Sequence, residues 1–130
     1  EDAEIIAWVK QAHETSKWTT SVCTGAIVLG AAGLLQGLSA TTHWLAHEAL
    51  KDYGATPMLQ RVVREGKIIT AAGVSSGIDM ALTLAAAEYG DEIAQEIQLI
   101  IEYDPEPPFD TGSPAKAPVQ MVEKLRAHFQ

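Results

Sequence analysis

The sequence from Trp18 to Gly30 reads WTTSVCTGAIVLG. Its first part is rich in β-branched and aromatic residues, and predicts a short buried strand that ends at Val22. The small and apolar residues that follow predict a buried helix ending near Gly37. Cys23 therefore lies where a strand turns abruptly into a helix, which is the arrangement of a nucleophile elbow.

A cysteine at such a corner is well placed for nucleophilic chemistry. The helix N-terminus offers unpaired N–H groups and the positive end of the helix dipole, and both favour a thiolate over a thiol. The backbone N–H of Thr24 is the natural donor to an oxyanion. The alternative is a small buried hydrophobic cysteine, as most cysteines are. We predict that Cys23 and Thr24 are catalytic.

Strands and helices alternate along the rest of the chain, which predicts an α/β fold with a mainly parallel sheet. The last two strands form a hairpin through Glu65 and Gly66. The predicted elements are strands at 18–22, 39–42, 61–64 and 67–70, helices over 2–14, 26–37, 43–53, 78–89, 91–102 and 119–129, and a proline-rich surface loop over 103–118.

Composition excludes several classes of protein. The chain has 130 residues and a formal net charge of −8, which is typical of one acidic globular domain and unfavourable for nucleic-acid binding. It has no apolar run near the roughly 20 residues of a membrane helix. Its single cysteine excludes an internal disulfide, and no leader resembling a signal peptide is present. We therefore expect a reduced, cytoplasmic protein without a nucleic-acid or membrane partner.

Other candidate site residues follow later strands. His43 comes after the second predicted strand, so it is expected at the same sheet edge as Cys23, in a substrate pocket; the alternative is local hydrogen bonding at a helix start. His43 and His47 lack a third ligand, so no metal site is predicted. The turn over 73–77 lacks a P-loop lysine and is expected to line a pocket. Asp79 is expected to interact with a helix dipole rather than act as a base.

Several segments together resemble the ThiJ/PfpI superfamily, a branch of the class I glutamine-amidotransferase-like folds. They are TSVCTGA over 20–26, ATTHW over 40–44 and AGVSSGID over 72–79. Glu-Tyr, Pro-Pro-Phe and Gly-Ser-Pro motifs over 102–118 narrow the resemblance to the isocyanide hydratases within that superfamily. The cysteine motif is shared by the whole superfamily, whereas the proline-rich segment is more specific.

The resemblance implies a flavodoxin-like α/β sandwich, a homodimer, and hydration of a small isocyanide to an N-substituted formamide without a cofactor. By similarity, Cys23 attacks the terminal isocyanide carbon, a thioimidate forms after protonation, and water releases the formamide. Val74 corresponds to a pocket residue whose backbone lies against the cysteine, so His43, Gly73 and Val74 are expected to bind substrate. Ala72 stands where relatives often have glycine.

The resemblance also implies parts that precede the cysteine strand, namely an acidic residue and a Gly-rich oxyanion loop. Only 22 residues precede Cys23, and they predict one helix and one strand. A strand buried on both faces needs neighbours on both edges, and no predicted strand precedes Trp18. We therefore expect residues 1–130 to be the C-terminal portion of a single domain of about 200 residues, with its N-terminal part as partner.

Two other functions fit the same cysteine. A glyoxalase- or deglycase-like relative would act on 2-oxoaldehydes. A non-catalytic amidotransferase-like sensor, of the kind fused to AraC-type regulators, would use a redox-sensitive cysteine. No basic helix-turn-helix segment follows residue 118, which favours the enzymatic interpretations.

Overall fold

The computed structural model describes residues 2–130, in which helices pack on both faces of a small sheet. Its helices are α1 (Ala3–Thr15), α2 (Gly25–Ala31), a 3₁₀ helix (Trp44–Tyr53), α3 (Ser76–Tyr89), α4 (Asp91–Ile100) and α5 (Val119–His128). Its strands are β1 (Thr19–Val22), β2 (Ser39–Ala40), β3 (Thr56–Pro57), β4 (Val62–Glu65) and β5 (Ile68–Ala71). None of the helices within residues 2–130 has the length and apolar character needed to cross a membrane.

Strand β5 is the centre of the main sheet, whose order is β1-β5-β4. It pairs in parallel with β1, where Val22 lies opposite Ala71, and antiparallel with β4, where Val62 lies opposite Ala71. All four β5 residues are buried, whereas β1 has one paired edge among the described residues and alternates in burial. The predicted α/β class and the predicted hairpin are therefore confirmed.

Two hydrophobic clusters lie on opposite faces of β5, because successive strand residues point to opposite sides. Ile68 belongs to the cluster beneath α2 and the 3₁₀ helix, and Ile69 belongs to the cluster beneath α3. Gly30 allows α2 to approach the 3₁₀ helix closely, since a Cβ there would lie 2.7 Å from Cγ of Tyr53. The carboxyl ends of β1 and β5 therefore lie between two layers of helices.

Three local predictions were wrong in detail. Helix α2 ends at Ala31 rather than near Gly37, because the chain turns at Gly33, whose φ of 78° is left-handed. The element expected as an α-helix from residue 43 is a 3₁₀ helix, although it ends at Gly54 as predicted. Strand β3 was not predicted, since its two residues are too few to show a periodicity; it pairs in parallel with β2.

Candidate active site

Cys23 occupies the corner between β1 and α2 with a φ of 59°, a left-handed conformation that costs a non-glycine residue roughly 1–2 kcal/mol. Its backbone N–H donates to the carbonyl of Ala72 at 2.8 Å, and its own carbonyl accepts from Oγ1 of Thr42 at 2.7 Å. The corner is thus tied to the ends of two other strands. Such strain persists where the surrounding structure fixes the residue, and is common at active sites.

The cysteine is partly accessible, and one backbone N–H beside it is unpaired among the described residues. Cys23 is half-buried, and the backbone N–H of Thr24 donates to no other residue within 2–130. Thr24 is the N-cap of α2, so this N–H lies at the positive end of a short helix. The expected location of both residues is therefore observed, while their catalytic roles stay predictions.

His43 and Gly73 meet near Cys23, and each directly follows a residue that hydrogen-bonds to the Cys23 backbone. A Cβ built on Gly73 would lie 3.5 Å from Cδ2 of His43, and Gly73 directly follows Ala72, the acceptor of the Cys23 N–H. Parallel pairing of β1 with β5 brings Gly73, which follows β5, to the sheet edge of Cys23. His43 follows β2, which belongs to the second sheet, and the hydrogen bond from Thr42 to the Cys23 carbonyl brings this segment to the corner. The structure thus brings together three of the predicted site residues.

The imidazole of His43 makes the local hydrogen bond that was the alternative interpretation, and its pocket role stays a prediction. Nδ1 accepts from the backbone N–H of Leu45 at 3.2 Å, as a cap of the 3₁₀ helix. This assigns the ring hydrogen of a neutral His43 to Nε2, which can donate to a ligand. The ring also stacks on Trp44, with centroids 5.9 Å apart.

Val74 lies in the same turn but is 78% exposed. The described part of the chain has two cavities, of about 70 and 310 Å³. No predicted site residue among Cys23, His43, Gly73 and Val74 lines either of them. The smaller one lies between Trp44, the residues from Thr111 to Pro114, and α5. Substrate binding by His43, Gly73 and Val74 therefore stays a prediction.

The structure adds a cluster that the sequence did not indicate. Nε of Arg61 donates to Oδ2 of Asp79 at 2.6 Å, and the hydroxyl of Tyr103 donates to Oδ1 of the same carboxylate. Burial alone would raise the pKa of Asp79, but the hydrogen bonds from Arg61 and Tyr103 outweigh it and lower that pKa. Asp79 lies in the first turn of α3, as expected, and is a paired carboxylate rather than a base.

Two further polar side chains belong to the elements next to Cys23 and His43, namely β1 and the 3₁₀ helix. Ser21, two residues before the cysteine, is 7% exposed and its Oγ has no hydrogen-bond partner among the described residues, which costs about 1–3 kcal/mol. Nε2 of His47 lies 3.3 Å from Oγ1 of Thr41, and burial lowers the pKa of His47. No group of three potential metal ligands occurs within residues 2–130.

Comparison with protein families and known sequences adds an independent line of observation. The model of the DJ-1/PfpI family matches residues 1–87. Isonitrile hydratase from Pseudomonas putida is 49% identical over 126 residues, which is 97% of this chain and 55% of that protein. The HTH-type transcriptional regulator CdhR from Pseudomonas aeruginosa is 32% identical over 95 residues, or 72% of this chain and 28% of the regulator.

Comparison with solved structures also finds ThiJ/PfpI and DJ-1 proteins. A ThiJ/PfpI family protein from Pseudomonas syringae superposes with a TM-score of 0.94 at 42% identity, over 98% of this chain and 52% of that chain. Oxidized DJ-1 from Toxoplasma gondii superposes with a TM-score of 0.67 at 30% identity, over 81% of this chain and 56% of that one. The chain spans about half the length of isonitrile hydratase and of these two proteins.

Proposed function

The chain belongs to the DJ-1/PfpI family, and from this membership we propose that it carries the nucleophilic cysteine of an isocyanide hydratase. The observation that supports the proposal most strongly is the Cys23 corner. Its left-handed backbone is held by Ala72 and Thr42, and the N–H of Thr24 beside it is unpaired among the described residues. The 49% identity to isonitrile hydratase gives the reaction class.

The proposed reaction begins when the Cys23 thiolate attacks the terminal carbon of the isocyanide. A C–S bond forms, the carbon takes a proton, and the product is a thioimidate with a C=N bond. Water then adds to that carbon, and the N–H of Thr24 stabilises negative charge on the incoming oxygen. The C–S bond breaks, the nitrogen takes a proton, and the formamide leaves while Cys23 returns as the thiolate. The sum is isocyanide plus water to N-substituted formamide.

His43 and the turn that holds Gly73 and Val74 would form the wall against which the substrate binds. Nε2 of His43 is the one ring nitrogen that is not occupied by the Leu45 N–H, so it can donate a hydrogen bond to a bound ligand or water. The ring lies beside the turn, since a Cβ built on Gly73 would be in van der Waals contact with Cδ2 of His43 at 3.5 Å. No cofactor takes part in the proposed reaction.

We also propose that these residues form the C-terminal portion of a longer domain, which supplies the acidic residue and oxyanion loop implied by the resemblance. Three observations support this. β1 has one paired edge within residues 2–130, Ser21 Oγ is buried without a partner, and the chain spans 55% of the isonitrile hydratase. The homodimer and the cytoplasmic location implied by the resemblance are part of the same proposal.

The reaction is tested by incubating the full-length protein with an alkyl isocyanide and, separately, with methylglyoxal. Formamide without lactate is the expected result, and lactate formation would instead favour a glyoxalase-like enzyme. Cys23→Ser should lower formamide formation roughly 10³-fold or more, because a serine hydroxyl is much less acidic than a thiol and stays protonated at neutral pH. A Ser variant that keeps its turnover would exclude the covalent mechanism.

The domain proposal has its own test on residues 1–130 alone. This fragment should show weak or no turnover, and adding the unmatched part of isonitrile hydratase, fused or in trans, should increase it. Circular dichroism and sedimentation report folding and association of the fragment. A stable monomer with full turnover would contradict the proposed longer domain.

A non-catalytic sensor is the second candidate, and the 32% identity to the regulator CdhR favours it. A sensor cysteine would be oxidised by dilute peroxide to a sulfenic acid that a thiol can reverse. Reversible oxidation of Cys23, detected by mass spectrometry in a protein without formamide formation, would support sensing over hydration.

A further inference from the structure

We infer that Arg61, Asp79 and Tyr103 form a positioning cluster that holds the turn against which Cys23 is strained. This inference rests on the proposed function for its catalytic consequence. None of the three side chains is placed at the reacting sulfur. Their effect is exerted through the backbone of Ala72 and the turn that follows it.

A continuous series of contacts leads from the cluster to the cysteine. The N–H of Cys23 donates to the carbonyl of Ala72 at 2.8 Å and, less closely, to that of Ala71 at 3.2 Å. The N–H of Ala72 donates to the carbonyl of Arg61 at 2.9 Å. The side chain of Arg61 then donates to Asp79 at 2.6 Å. Displacement of Arg61 would therefore move the carbonyl that accepts from the nucleophile's own backbone.

Arg61 contacts both ends of the turn. Its backbone binds Ala72 at the start, and Nη2 donates to Oγ of Ser75 at 3.4 Å near the end. Between them, Val74 is 78% exposed, so apolar burial contributes little to holding the turn. Besides the backbone hydrogen bonds within the turn, the polar cluster therefore supplies the contacts that hold this segment.

Tyr103 connects the cluster to a distant part of the chain. Its hydroxyl donates to the Asp79 oxygen that Arg61 Nε does not use, so both oxygens of the carboxylate are engaged. The hydrogen bond to Asp79 raises the pKa of Tyr103, in agreement with a phenol that donates to an ionised carboxylate. Tyr103 thereby fixes the orientation of Asp79 for Arg61.

Loosening this cluster should act on the corner and leave the hydrophobic core intact. The left-handed conformation of Cys23 depends on acceptors held in place around it. When the Ala72 carbonyl is less firmly held, the hydrogen bond that it accepts from the N–H of Cys23 breaks more often. The sulfur then spends less time in the reactive position. The turnover number should fall while KM changes little, because none of the three side chains is proposed to bind substrate.

The test compares Tyr103→Phe with Tyr89→Phe in the full-length protein. Both variants lose only a phenolic oxygen, and Tyr89 is a 71% exposed residue at the end of α3. Amide hydrogen exchange measured by NMR reports the opening of Cys23 and Ala72. Because Cys23 is the only cysteine in residues 1–130, iodoacetamide labelling of its peptide reports the reactivity of the sulfur.

Tyr103→Phe should speed exchange at Cys23 and Ala72, slow alkylation of Cys23 and lower kcat, each by about 3- to 30-fold, with KM within about twofold. Tyr89→Phe should change none of these. Unchanged exchange at the two amides in Tyr103→Phe would overturn the inference. Equal acceleration at the core amide of Ile69 would also overturn it, since that result marks general destabilisation.

The two proposals fail in different ways. If the unmodified protein forms no formamide, the proposed function fails, while the exchange and alkylation measurements still decide whether the cluster positions Cys23. If formamide forms and Tyr103→Phe leaves exchange and alkylation unchanged, the hydratase stands and the positioning cluster does not.

Discussion

The core region, residues 18–94, and the C-terminal segment, residues 95–130, are stabilised by different interactions. Every buried residue that the structure describes lies in the core region, between Ser21 and Ala94. In the C-terminal segment, large apolar side chains such as Leu99 and Phe109 are about 80% exposed. Polar and cation–π contacts also attach that segment, including Tyr103 with Asp79 and the guanidinium of Arg126 over the Trp44 ring.

The comparisons divide the chain near the same point. The family model ends at residue 87, within the core region, whereas isonitrile hydratase matches 126 of the 130 residues and so includes most of the C-terminal segment. The Cys23 corner therefore belongs to the part with a hydrophobic core, and the proline-rich segment adds contacts at its surface. Substitutions should have very different energetic effects in the two regions.

Truncating a leucine should show the largest difference. Leu50 is fully buried in the cluster beneath α2, so Leu50→Ala should lower the free energy of unfolding by about 2–5 kcal/mol. Leu99 is 80% exposed, and Leu99→Ala should change it by no more than about 0.5 kcal/mol. Urea denaturation followed by circular dichroism measures both. Similar losses would mean that the C-terminal segment shares the hydrophobic core after all.

Adding a methyl group should give a smaller contrast of the same kind. In Gly30→Ala the new Cβ would lie 2.7 Å from Cγ and 3.0 Å from Cβ of Tyr53, so the 3₁₀ helix must shift. We expect a loss of about 1–3 kcal/mol, in spite of alanine's better helix propensity. Gly112→Ala meets nothing within 4 Å and should be neutral. A neutral Gly30→Ala in thermal unfolding would show that Tyr53 moves freely.

Sequence patterns anticipated the parts of the fold that burial determines. The β-branched run before Cys23 and the small residues after it predicted the corner, and the hairpin of β4 and β5 followed from Glu65 and Gly66. Parallel pairing then accounts for Gly73 lying at the same sheet edge as Cys23, because both follow the carboxyl ends of paired strands. These features depend on local composition and on a general property of parallel sheets.

Other features depend on contacts between residues that are remote in sequence. Arg61, Asp79 and Tyr103 share no spacing that would mark them as a cluster, and they meet only because α3 packs beside β4 and the segment after α4 returns to α3. The 3₁₀ geometry of Trp44–Tyr53 is likewise absent from the residue pattern, which fits an α-helix as well. Hydrophobic periodicity carries no information on either.

The smallest predicted effect tests whether α5 remains docked on the core region in solution. Burial is the main reason why the pKa of His47 is lowered, and the positive charge of Arg126 on α5 lowers it further. Hydrogen bonding to Thr42 and the charge of Glu48 oppose this shift. Arg126→Gln should therefore raise the pKa of His47, measured by NMR titration, whereas Lys124→Gln on the same helix should not. An unchanged His47 titration in Arg126→Gln would indicate that α5 spends little time against Trp44.

The same shift makes stability depend on pH in a definite direction. Because the folded-state pKa of His47 is below its ordinary value of about 6.5, the unfolded chain binds the proton first as pH falls through that value. The free energy of unfolding should therefore decrease below about pH 6.5. Uptake of one whole proton on unfolding would give a slope of roughly 1.4 kcal/mol per pH unit. The expected slope is smaller, since His47 is partly exposed. His47→Gln should flatten this slope, while His128→Gln, at an exposed position of α5, should leave it unchanged. If the pH dependence of stability persists in His47→Gln, it would be assigned to His13, whose pKa is also lowered by burial.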